Sequence, residues 1–142
     1  MRAFALAMLL PMSAAAWEFS SSPLCTLAHQ SERTRLEITY DPAVPEYRLT
    51  VDLLTEQWTS SETFGMSFRG GRDITIGTDR HEINDSALTV SDTGFGNVLD
   101  GLEFNATATA FTASQSAQVS LAGAAPAVRK FRRCARQGPP TS

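Results

Sequence analysis

Apolar and polar residues alternate with a period of two through most of this chain, and that pattern confines it to antiparallel sheet with one buried face per strand. In "RTRLEITY", Leu36, Ile38 and Tyr40 share one face, with Arg35, Glu37 and Thr39 on the other. "YRLTVDLL" repeats the arrangement, setting Tyr47, Leu49, Val51 and Leu53 against Arg48, Thr50 and Asp52. "TFGMSFR" turns Phe64, Met66 and Phe68 inward before "GGR" leads into "DITIG", which reads as a hairpin about Gly70 and Gly71. "HEINDSALTVS" gives a second hairpin about Asn84, Asp85 and Ser86. "LEFNATATAF" and "AQVSL" supply two more strands, the first lined by small alanines that allow another element close approach.

One segment has helical periodicity, "GAAPAVRKFRRCAR". Pro126 falls in the first turn, where a missing N–H costs little. Ala124, Ala127, Val128, Phe131, Cys134 and Ala135 gather within about a third of the wheel at ~100° per residue. Arg129, Lys130, Arg132, Arg133 and Arg136 occupy the remainder, near the negative end of the helix dipole. The expected fold is mainly β: an antiparallel sandwich or small barrel of about eight strands with one C-terminal amphipathic helix.

The two ends indicate the compartment. "MRAFALAMLLPMSAAAWEF" has a basic start at Arg2, an apolar run from Ala3 to Leu10, and small residues at Ala14 and Ala16. It reads as a signal peptide over residues 1–16, cleaved before Trp17, because the apolar run is too short to span a bilayer. No later stretch reaches ~18 apolar residues, so no transmembrane segment is expected. Residues 17–136 then form a single β-rich domain, 137–142 a disordered tail, and the protein is periplasmic or secreted. The two cysteines, Cys25 and Cys134, stand near the ends of the mature chain and are expected to form one disulfide in an oxidising compartment. Without Cys-x-x-Cys spacing, nothing tunes either one as a redox thiolate.

Charge is distributed unevenly. From Trp17 to Val128 there are fifteen acidic residues against six arginines, a balance of −9, whereas the segment after Val128 carries +5. An acidic body bearing one basic helix argues against nucleic-acid binding. Five cations on one exposed face, Arg129, Lys130, Arg132, Arg133 and Arg136, suit an anionic partner such as phospholipid, lipopolysaccharide or an acidic envelope protein. Neutralisation of the protein's own acidic surface is the competing explanation.

Asp92-Thr93-Gly94 carries the tripeptide of aspartic proteases, which makes Asp92 the one catalytic candidate. Its setting differs from that family's: Ser91 precedes it, bulky Phe95 follows the glycine, and the second apolar-apolar-Gly signature is absent. A structured turn accounts for the residues, with the Asp92 carboxylate on the backbone of a Gly-containing loop and Asn97 capping one short helical turn over "VLDG". Should the strand continue, Asp92 has the parity of Leu88 and Val90 and points inward. Gly94-Phe95-Gly96 lacks the third glycine and the long helix of a dinucleotide loop, and Lys130, the one lysine, lies in no Walker A context. "TDRHEINDS" clusters Asp79, His81, Glu82 and Asp85 without zinc or calcium spacing, so no metal and no cofactor is expected.

"TDRHEINDSALTVSDTGFGNVLDGLEFNATATA", then "LAGAAPAVRKFRRC", with "CTLAH" near the start, resembles a group of short exported alphaproteobacterial proteins of unassigned function. Some of these carry the label of an excinuclease component, which this sequence contradicts, since that DNA-repair ATPase is far longer, cytosolic and needs the missing nucleotide loop. The ending, Gly-Ala-x-x-Ala-x-x-x-Phe-x-x-Cys, is similar to that of invasion-associated locus B type periplasmic proteins, which are small and β-rich. The expected function is a non-enzymatic cell-envelope binding or interaction protein, the alternative an aspartic-type hydrolase centred on Asp92.

Overall fold

The computed structural model describes residues 16–137. Residues 1–15 of the expected signal peptide and residues 138–142 of the expected tail lie outside the described residues.

Among the described residues ten strands form two antiparallel sheets. They are β1 (Glu18–Ser20), β2 (Cys25–Gln30), β3 (Thr34–Asp41), β4 (Glu46–Leu53), β5 (Phe64–Arg69), β6 (Ile74–Thr78), β7 (Glu82–Asn84), β8 (Ala87–Asp92), β9 (Thr107–Phe111) and β10 (Ser116–Ser120). The larger sheet has the order β1-β2-β3-β4-β8-β7 and the smaller β10-β9-β5-β6. Neither closes on itself, so of the two expected arrangements the sandwich of open sheets is the one observed.

The alternation in sequence becomes cross-strand ladders. Leu27 pairs with Ile38, Ile38 with Leu49 and Leu49 with Val90, which sets one apolar row across four strands of the larger sheet. The smaller sheet matches large side chains to small ones, with Met66 opposite Ala110 and Phe68 opposite Ala108. These alternating volumes let the sheet pack without overfilling. Phe68, Leu27, Ile38, Val51 and Leu88 have no exposed surface, and each such side chain contributes about 1.5 to 3 kcal/mol by leaving water. Trp58, in the connection from β4 to β5, closes one side of this core, and its indole N–H donates to the Val51 carbonyl at 3.0 Å.

Among the described residues two helices complete the fold, α1 (Gly96–Glu103) and α2 (Ala124–Gln137). The single turn expected at "VLDG" is in fact an eight-residue helix that takes in Leu102 and Glu103, which the alternation had assigned to a strand. Asn97 does not cap it: Phe95 holds the N-cap position, with no side-chain cap. Gly101 lies inside the helix rather than ending it, and a β-carbon there would collide with the Phe68 ring. α1 exists because Val98, Leu99 and Leu102 bury themselves, packing overriding weak local signals. α2 matches the expected periodicity, burying Ala124, Ala127, Val128, Phe131 and Ala135, and runs one residue further, to Gln137.

Cys25 and Cys134 are joined by a disulfide with a Cα–Cα separation of 5.9 Å, linking β2 to α2 across 109 residues. The cysteine-bearing strand is the second of the fold, because the short β1 precedes it.

Candidate binding surfaces

The five cations of α2 do not share one role. Arg132 reaches across to α1 and meets three points one turn apart on that helix: Glu103 at 2.6 Å, Asp100 at 2.5 Å and the Gly96 carbonyl at 3.4 Å. Its side chain is 21% exposed and that of Glu103 only 9%, so this is a largely buried pair rather than a solvated one. Burial by itself would lower the guanidinium's pKa, but the hydrogen bonds to Asp100 and Glu103 outweigh it and hold Arg132 above its ordinary range. The grouping of Arg132 with the exposed cations is thus corrected: its side chain ties α2 to α1.

The other four lie outward. Arg129, Lys130, Arg133 and Arg136 are exposed, and at ~100° per residue they occupy about a third of the helix circumference. Arg129 approaches Glu103 loosely at 3.9 Å. Among the described residues Lys130, Arg133 and Arg136 enter no ion pair. The disulfide at Cys134 and the Arg132 clamp fix the helix that presents them.

Asp92 ends β8, where its carboxylate accepts a hydrogen bond from the Thr93 N–H at 2.7 Å and lies 3.5 Å from the Arg80 guanidinium. The turn explanation holds, and β8 continues to Asp92, which keeps the face of Leu88 and Val90 and borders the space between the sheets, although the sandwich is open at that end and the side chain stays 42% exposed. An aspartic dyad needs two carboxylates sharing a proton. The partners of Asp92 among the described residues are an arginine and a threonine.

Arg80 and Asp92 stand beside a cavity of about 380 Å³ at the end of the sandwich, where β6 and β8 finish and α1 begins. Leu49, Met66, Ile76, Val90, Phe95 and Val98 supply its apolar lining, and Gly94, Gly96 and Asn97 border it. The residue pattern alone does not reveal this site. Its one signal is that two glycines flank Phe95 without making any nucleotide loop.

Of the "TDRHEINDS" cluster, His81 places Nε2 2.8 Å from the Ser61 carbonyl, so in this contact the ring nitrogen donates. Among the described residues no three metal-ligating side chains gather. The other histidine, His29, lies buried on β2, stacked on Trp17 with ring centroids 4.5 Å apart. Burial pushes its pKa below 6.5, more strongly than a backbone hydrogen bond at Ala16 raises it.

No protein family, curated protein or solved structure matches the chain.

Proposed function

We propose that this chain is an exported, non-enzymatic binding protein of the cell envelope, periplasmic or secreted, which engages an anionic surface component through Arg129, Lys130, Arg133 and Arg136. The observation that supports this reading is the division of labour on α2: the acidic residues facing the helix are met by Arg132, which leaves Lys130, Arg133 and Arg136 with no ion-pair partner among the described residues. Neutralisation of the acidic body would instead pair these cations with it. Exposed cations spread over about two turns of a fixed helix match an array of phosphates, and the acidic remainder of the surface turns that helix toward the array.

The test is co-sedimentation with vesicles containing phosphatidylglycerol in phosphatidylcholine, across a salt series. Binding is expected at low salt and should fall steeply toward 0.15 M, where charges more than ~8 Å apart are screened. Combined replacement Lys130→Gln, Arg133→Gln and Arg136→Gln should abolish it with stability within about 1 kcal/mol of the parent, because exposed charges contribute little to folding. Retention of the triple variant by the vesicles, or no retention of the parent at the lowest salt, refutes the reading. For the non-enzymatic part, the protein should leave a broad peptide library uncut, and Asp92→Asn should bind the vesicles as the parent does.

A further inference from the structure

We infer that the cavity beside Arg80 is a binding site for a small carboxylic acid with an apolar chain, a site independent of the cationic face of α2. The cavity opens where both sheets have unpaired edges. β6 is the last strand of its sheet, and β8 beyond Thr89 pairs only with β4, since β7 stops at the Glu82–Thr89 pair. The wall between the sheets is therefore incomplete at this end, and Ile76 and Val90 remain half-buried there. Leu49 and Met66, both fully buried, lie deeper in the same cavity. This is a recess with an apolar inner end and a polar mouth, of a size typical for small-ligand sites. At 380 Å³ the cavity lies near the lower end of the range for small-ligand sites, which suits a short chain such as that of decanoate.

The polar end of the ligand is specified by what surrounds the opening. Among the described residues Arg80 is the one cation bordering the cavity, and its side chain is 73% exposed. Beside it the N–H groups of Gly96, Asn97 and Val98 begin α1, where no carbonyl one turn back can accept from them, and no side chain caps them. No acidic residue occupies that first turn. Apart from the adjoining backbone, no atom lies within 4 Å of where a β-carbon would stand on Gly94 or Gly96, so these two glycines leave the rim of the cavity uncovered. Asp92 is the opposing charge, yet its two oxygens are turned to Thr93 and to Arg80. A guanidinium has five donors and can hold a second carboxylate beside the first. An apolar chain between the sheets, with its carboxylate at Arg80 and the start of α1, satisfies every one of these groups.

Isothermal titration with decanoate, decanamide and decyltrimethylammonium, each below its micellar concentration, tests this. Decanoate should bind one to one, decanamide about tenfold more weakly for want of the charge-assisted bonds, and the cation not measurably. Arg80→Gln should weaken decanoate about tenfold and leave decanamide unchanged, whereas Asp92→Asn should tighten decanoate by freeing Arg80. Gly96→Val, which adds a side chain where there is open space, should reduce both ligands with an unaltered circular dichroism spectrum and melting temperature. Equal affinity for the acid and the amide, preference for the cation, insensitivity to Arg80→Gln, or no binding of decanoate overturns the proposal. So does displacement of decanoate by a leucine-terminated tetrapeptide that binds more tightly, which would assign the site to a chain terminus. The Lys130, Arg133 and Arg136 triple variant should titrate as the parent does, so either site can fail without the other.

Discussion

Single side chains separate groups that sequence treats alike. Arg132 and Arg133 are neighbours of the same type, yet the first is drawn between two acidic residues of α1 and the second faces water. Arg132→Gln should therefore destabilise the fold by about 2 to 3 kcal/mol in denaturant titration, because it strands the nearly buried Glu103, while Arg133→Gln stays within about 0.5 kcal/mol. A helical wheel could not distinguish them. The wheel gives angles on α2, but which angle meets an acid depends on α1, a helix whose presence is set by packing. His29 is the other residue whose setting decides its behaviour. The fold favours its neutral ring, so an unfolded chain takes up a proton first as pH falls through about 6.5. The contribution of His29 to stability is full above that pH and is progressively lost below it, toward the lower pKa of the folded state. Melting temperature should fall between pH 7.5 and 5, and His29→Phe, which can still stack on Trp17, should flatten that part of the profile.

Elements differ in how openly their residues announce them. Both hairpins are legible from turn chemistry: Gly70 adopts φ of 102° and Asp85 φ of 58°, the left-handed region that glycine and aspartate tolerate. α2 is legible because its apolar stripe is long and regular. α1 is not, since glycines stand at its first and sixth positions, it has no capping side chain, and its eight residues are too few for a clear period. Contact with α2 and with β5 shapes it, and on the β5 side Gly101 lets the helix backbone rest on Phe68. Gly101→Ala tests this against intrinsic propensity. Alanine favours a helix by about 1 kcal/mol over glycine, but overpacking against a fully buried ring costs about 1 to 3 kcal/mol, so the net change in denaturant midpoint should be a loss. A gain would mean that α1 can move off the sheet. The recess beside Arg80 is illegible in the sequence for a related reason: it is the space left by a strand that stops early, and a missing partner leaves no pattern in the residues that lack it.

At the scale of the molecule, one covalent link and one ionic clamp hold α2 in place, the first to β2 of the larger sheet and the second to α1. Closing a loop of 109 residues removes enough freedom from the unfolded chain to favour folding by about 4 to 5 kcal/mol on loop-entropy grounds. Reduction should lower the melting temperature by well over 10 °C for a domain of this size, read by calorimetry with and without a phosphine reductant. The oxidised protein should weigh 2 Da less than its reduced form and offer no alkylatable thiol. The placement of the bond also orders events in time. A chain that emerges with its amino end first presents Cys25 long before Cys134, and between them there is no other thiol to form a wrong bridge within the molecule. Until the last helix arrives, Cys25 can react only with a neighbouring molecule or with an oxidant, so the yield of correctly closed protein should depend on crowding during synthesis rather than on shuffling among alternative pairings afterwards.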